Sequence, residues 1–259
     1  MLQRELQYLL AAIQFFTRIP VPSAEAPGPD TQNQALKYFP LIGWLVGAFC
    51  ALVFYLSASV WPDSVAVVLT LVAGILLTGA LHEDGLADSC DGFGGGWNRD
   101  QVLRIMQDPR IGNFAAIGLI LVLLLKAALM IELATHSHEL LLIALLLAHP
   151  ASRLWVLALP SLLDYARPAD DSSKSRPLVG QRFSPGKLAY ASLFVVLPLA
   201  YFDVPPLWLA FFAAGIVTLV LGLYYRQRLG GYSGDCLGAT QQITELTVYL
   251  SLLASWSSL

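Results

Sequence analysis

The chain has 259 residues, 56% hydrophobic and 13% charged, against about 45–50% apolar and 25% charged in a typical soluble domain. Its mean hydropathy is +0.64 and its isoelectric point 5.7, so there is no basic stripe for nucleic acid, and the 20 glycines and 15 prolines follow no repeat. Collagen, disordered, soluble globular and nucleic-acid-binding classes are excluded, and a multispanning membrane protein remains. Cys50, Cys90 and Cys236 are an odd number without zinc spacing, which fits a reduced compartment.

The first forty residues read as an interfacial segment. Arg4, the apolar stretch Tyr8 to Phe16 and the AEA at 24–26 imitate a secretory signal, but Glu5, Gln14 and Arg18 favour a short amphipathic helix lying on the membrane. Stretches of about 20 apolar residues then follow at 41–60, 64–82, 112–134, 139–163, 188–204, 206–225 and 243–259. None alternates in polarity as barrel strands do. The expected fold is all-α, a polytopic integral membrane protein forming one domain over 1–259 with about seven helices. Its polar loops are 82–113, 164–187 and 226–242.

Charge sets the orientation. Arg4, Arg18, Lys37, Arg99, Arg104, Arg110, Arg167, Lys174, Arg176, Arg182, Lys187, Arg226 and Arg228 all fall on one side of these spans. Lys126 and Arg153 lie within spans, and the loops around Asp63, His136 and Asp203 carry no Lys or Arg. By the positive-inside rule the loaded side is cytoplasmic, and a multi-pass protein of a cytoplasmic membrane, in contact with the lipid bilayer, is expected.

The acids concentrate on that same side. The segment 82–113 holds six of the 18 Asp and Glu residues. Asp84, Asp88 and Asp91 stand at i, i+4 and i+7, one narrow stripe if a helix runs through them. Three carboxylates on a stripe repel one another unless a cation neutralises them, and oxygen donors at this spacing suit Mg²⁺ shared with substrate phosphates. Gly85, Gly92 and Gly94 to Gly96 would let backbone approach a phosphate. Asn98 is placed to cap a following helix, with Arg104 and Asp108 at i and i+4 either paired with each other or turned to the site with Arg110. His82, on the opposite face from the stripe, is a candidate general base.

A second cluster, RLGGYSGDCLGATQQITE at 228–245, places Gly231, Ser233, Gly234 and Asp235 before the last span. It reads as an anion-binding nest, with Asp235 and Asp108 as further candidate metal ligands. Arg153 is placed to reach a diphosphate from the cytoplasmic end of its helix. Lys126 reads as structural, His136 and His138 as loop residues on the far side. No Cys, His and acid arrangement marks a nucleophilic thiol.

HEDGLADSCDG (82–92), RIMQDPRIG (104–112) and GGYSGDCLGA (230–239), with FFTRIPVP (15–22), FPLIGWLVGA (39–48) and YAR (165–167), closely resemble the cobalamin synthase family, the adenosylcobinamide-GDP ribazoletransferases. The resemblance implies an Mg²⁺-dependent transferase that joins adenosylcobinamide-GDP to α-ribazole or its 5′-phosphate, releases GMP and completes cobalamin. A homo-oligomer is left open. The nearest chemical alternative, a CDP-alcohol phosphatidyltransferase, would carry an Ala-Arg pair between its acids, and 82–112 has none. A transporter would place its site near the bilayer midplane rather than at one edge. A non-enzymatic ion-binding protein or a passive scaffold is the remaining alternative, and changes at Asp88 that abolish turnover without changing membrane insertion separate the enzyme from the scaffold.

Overall fold

The computed structural model describes residues 2–21, 28–167 and 182–256. Pro22, the AEA tripeptide, Lys174 and Arg176 lie outside them. Twelve α-helices are described: α1 (Leu2–Phe16), α2 (Pro29–Ala35), α3 (Phe39–Ala58), α4 (Asp63–Thr78), α5 (Leu81–Gly95), α6 (Arg99–Ile105), α7 (Asn113–His136), α8 (His138–Val156), α9 (Ala158–Leu162), α10 (Pro185–Phe202), α11 (Pro205–Leu229) and α12 (Gly234–Trp256). A 3-10 turn, Leu36–Tyr38, joins α2 to α3.

The protein is an all-α polytopic membrane protein. Among the described residues, five stretches are long and apolar enough to cross a bilayer: Pro29–Ala58, Asn113–His136, His138–Leu162, Pro185–Phe202 and Pro205–Leu229. The sixth forms only if α4 and α5 are taken together across a 90° bend. The expected second span therefore stops at Thr78. Gly79 and Ala80 both adopt left-handed backbone, φ 67° and 57°, and two such residues in succession cannot continue a right-handed helix. Arg18 secures the corner, its backbone N–H donating to the Leu77 carbonyl at 2.7 Å.

The outer helices show the apolar exposure expected of lipid-facing surfaces. On α7 the exposed Ile117, Ile120, Leu121 and Leu124 form one stripe, and Leu209, Phe212, Ile216, Leu219 and Leu223 do the same on α11. Inside, α3 packs along α8. Gly43 and Gly47, four residues apart, bring the two backbones together: a Cβ at Gly43 would lie 2.5 Å from the Pro150 Cα, and one at Gly47 2.7 Å from the Leu145 carbonyl oxygen.

The last helix departs most from the sequence expectation. It begins at Gly234, not near 243, so most of the expected glycine-rich loop is helix. It does not meet the apolarity of a span. Gln241, Gln242, Thr244 and Glu245 are all buried, because α12 is wrapped by α5, α7, α8 and α11 and meets protein where a span would meet lipid. The acid of the Lys126–Glu245 ion pair (2.6 Å) comes from this helix.

Candidate active site

The acid segment is helical through its whole stripe, as its spacing predicts. The stripe is graded: Asp84 is exposed, Asp88 half-buried and Asp91 9% exposed. What brings a fourth acid to it is a pair of glycines. A Cβ on Gly85 would stand 3.1 Å from the Gly238 Cα and 3.0 Å from the Asp235 carbonyl oxygen, and one on Gly238 would stand 3.1 Å from the Gly85 Cα. With no side chains between them, α5 and the start of α12 pack backbone to backbone. Asp84 and Asp88 on one helix then confront Asp235 on the other, close enough for their charges to act on one another. Gly85 was expected to make room for phosphate; the structure uses it to make room for a helix.

Two devices position Asp235. Ser233 caps α12, its Oγ accepting from the Cys236 N–H at 3.3 Å and donating to Asp235 Oδ2 at 3.3 Å. Arg167 donates from Nη2 to the same carboxylate oxygen. Arg167 is carried there by a short parallel pairing of 164–166 with Tyr232, in which the Tyr232 N–H donates to the Asp164 carbonyl (3.1 Å) and the Ala166 N–H to the Tyr232 carbonyl (2.8 Å). Gly231 permits this pairing, since a Cβ there would collide with the Asp164 carbonyl oxygen at 2.1 Å. The space assigned from sequence to an anion nest is therefore filled by chain, at Gly231 at least. Arg167 was not among the candidate residues, although it closes the YAR motif.

Asp91 turns to a different task. Helix α7 starts at Gly112, which has no side chain to cap it. Asp91 reaches in from α5 instead, accepting from the Gly112 N–H at 2.6 Å and the Ala115 N–H at 2.9 Å. Each oxygen thus holds one of the orphan donors of a helix start. Asp108 also stands apart. Because α6 ends at Ile105, the i, i+4 pairing with Arg104 does not form. Asp108 pairs instead with Arg110, Nη2 to Oδ2 2.6 Å and Nε to Oδ1 2.9 Å, which holds its carboxyl down at about 2. Arg104 is exposed at the same end. The Asn98 cap is present, its Oδ1 accepting from the Gln101 N–H at 3.0 Å.

Arg153 lies 1% exposed within the bundle. Its Nη1 donates to the His149 carbonyl at 3.0 Å and its guanidinium covers the Phe39 ring at 5.6 Å. It belongs to a buried polar group with Lys126, His149, Gln242, Glu83 and Glu245 around a cavity within the bundle. Sequence reasoning missed most of this group, and the glutamines and acid at 241–245 within the last helix are the signal that could have shown it. His82 is also buried, 5% exposed, and its Nε2 has no protein partner. It borders that interior cavity and a second one, which opens beside Asp84 and Asp235.

Among the described residues, no three His, Cys, Asp or Glu side chains converge tightly enough to hold an ion without movement. The donor chemistry at the α5–α12 junction nonetheless suits Mg²⁺, which binds through one or two carboxylates and completes its shell with water and substrate phosphate.

The sequence model of the cobalamin-5-phosphate synthase family matches residues 8–253. The chain belongs to that family. It is 45% identical over 97% of its length to the adenosylcobinamide-GDP ribazoletransferase of Shewanella frigidimarina, covering 95% of that protein. The ribazoletransferase of Ralstonia pickettii is 44% identical, with 99% of each chain covered. That of Leptospira interrogans is 38% identical over 100% of this chain and 99% of the relative. No solved structure matches. The family match thus takes in the acid helix, the YAR corner and the start of α12, which meet at one end of the bundle.

Proposed function

We propose that this chain is a ribazoletransferase, joining adenosylcobinamide-GDP to α-ribazole or its 5′-phosphate, forming adenosylcobalamin or its 5′-phosphate and releasing GMP. The observation that carries the reading is the acid junction of α5 and α12, at the mouth of a cavity, in a chain of this family. A ribazole hydroxyl attacks the phosphorus borne by cobinamide, and the bond from that phosphorus to the GMP oxygen breaks. Mg²⁺, when bound, supplies charge neutralisation on the diphosphate and the departing GMP.

Asp84 and Asp88, with Asp235 opposite, are the residues that would hold the ion. Arg167 fixes Asp235 and keeps a positive charge beside the carboxylates. His82 lines the cavity, its buried Nε2 has no protein partner, and it is the candidate to take the hydroxyl proton. Asp91 is unsuited to that role, since both its oxygens already hold backbone N–H groups. By the distribution of Lys and Arg, the junction faces the cytoplasm from a bacterial inner membrane.

The test is turnover by the purified full-length chain in lipid, with both substrates and with or without Mg²⁺. GMP and cobalamin should appear in equal amounts and only with the metal. GMP released equally fast without ribazole would make the protein a hydrolase and overturn the reading.

A further inference from the structure

The cavity beside the acid junction has two unlike sides. Counted with the open space at its mouth it spans about 730 Å³. Phe15 and Phe16 from α1, Phe39 from α3, Leu157 after α8 and Pro160 from α9 form the apolar side. The rings are continuous: Phe15 meets Phe16 edge-on at 4.9 Å, Phe16 stacks on Phe39 at 4.1 Å, and Phe39 lies 5.8 Å from the His82 ring. The charged and titratable groups, His82, Asp84 and Asp235, all belong to α5 and α12. The buried His82 Nε2 has no protein partner, the state of a group kept for a water, an ion or a catalytic role.

We infer that this cavity is the ribazole site, its apolar side receiving the fused-ring base and its α5–α12 side receiving the ribose. The inference rests on the transferase reading and adds to it which substrate lies where. Of the flat bases in the reaction, guanine carries several N–H and C=O groups that an aromatic and aliphatic wall would leave unpaired. The dimethylbenzimidazole of ribazole has two methyl groups to bury and one free ring nitrogen. The corrin is far too large for the space. With the base against Phe16 and Phe39, the sugar hydroxyls point to His82 and the acids, where the attacking oxygen is needed.

The experiment uses the full chain in lipid nanodiscs without Mg²⁺, with and without adenosylcobinamide-GDP, and measures binding of α-ribazole by the fluorescence of its base. Removing the methyls from the base should weaken binding about tenfold for each, and GMP should not compete. An azido-benzimidazole riboside should label peptides containing Phe15, Phe16 or Phe39 in the unaltered protein. Leu157→Trp, which fills the cavity, should raise the KM for ribazole tenfold or more and change that for adenosylcobinamide-GDP less than twofold.

Label elsewhere, effective competition by GMP, or no ribazole binding in either condition would overturn the inference. The two readings separate cleanly. Turnover with the label elsewhere leaves the transferase and removes the site, whereas ribazole held at Phe16 and Phe39 without turnover keeps the site and removes the transferase.

Discussion

Asp91→Asn tests whether the third acid of the stripe is a helix cap or a metal ligand. The carboxylate holds two backbone donors at the start of α7, at 2.6 and 2.9 Å, in a site where Gly112 leaves room for it, since a Cβ there would lie 2.6 Å from Asp91 Oδ1. An amide keeps one acceptor and turns an NH₂ toward the other donor. Losing a charge-assisted bond and stranding a buried N–H should cost about 2–3 kcal/mol, at or above the upper end for uncharged helix caps. At about 2–4 °C per kcal/mol for a chain of this size, the midpoint of thermal unfolding in detergent should fall by about 4–12 °C. Asp84→Asn provides the contrast: this exposed residue should change stability by no more than about 0.5 kcal/mol while lowering Mg²⁺-dependent turnover at least a hundredfold. Unfolding curves and Mg²⁺ titrations on both purified variants decide the matter. An Asp91→Asn protein with an unchanged midpoint and a greatly raised Mg²⁺ requirement would refute the cap.

Gly238→Leu should separate α5 from α12 and abolish turnover while the protein still inserts in the membrane, which steady-state assay and membrane fractionation will show. Arg167→Ala should lower kcat/KM tenfold or more through loss of the Asp235 partner, with Arg167→Lys intermediate in the same assay. Asp108→Asn should leave the Mg²⁺ dependence within twofold of the original, because the Asp108–Arg110 pair is solvent-exposed. That pair also contributes no pH dependence near neutrality: with the carboxyl held down at about 2, its effect is present above the ordinary Asp range and fades only as pH falls toward 2. Glu245→Gln should destabilise by about 3–5 kcal/mol, leaving Lys126 buried without its anion, and Lys126→Met in the same chain should restore much of the folded yield measured by gel filtration.

What the sequence disclosed was local in the chain. Long apolar runs marked most spans, the 84, 88, 91 spacing marked the acid face, and Asn98 marked a helix start, because each depends on neighbours within a turn or two. The polar runs misled where tertiary packing decided. The polar run at 234–242 looked like a loop because a lipid-facing helix could not contain it, yet it is helical, α12 being held among other helices. Contacts between distant residues were illegible for the same reason. Nothing around Gly85 announces Gly238, and nothing around Asp91 announces that a helix begins beside it at Gly112.

The sheathed position of α12 bears on how the protein is made. A charged side chain at the centre of a membrane helix disfavours insertion by about 2.5–3.5 kcal/mol, and Glu245 meets its partners Lys126 and His149 on α7 and α8, which are synthesised earlier. The membrane-spanning helices before α12 therefore pack around a place not yet filled, with Lys126 awaiting its counter-ion. The final helix closes that gap and simultaneously delivers Asp235 to the acids of α5. Assembly and competence for chemistry thus coincide when α12 is inserted, and a chain cut short after Leu229 lacks both the bundle's keystone and one wall of its reaction site.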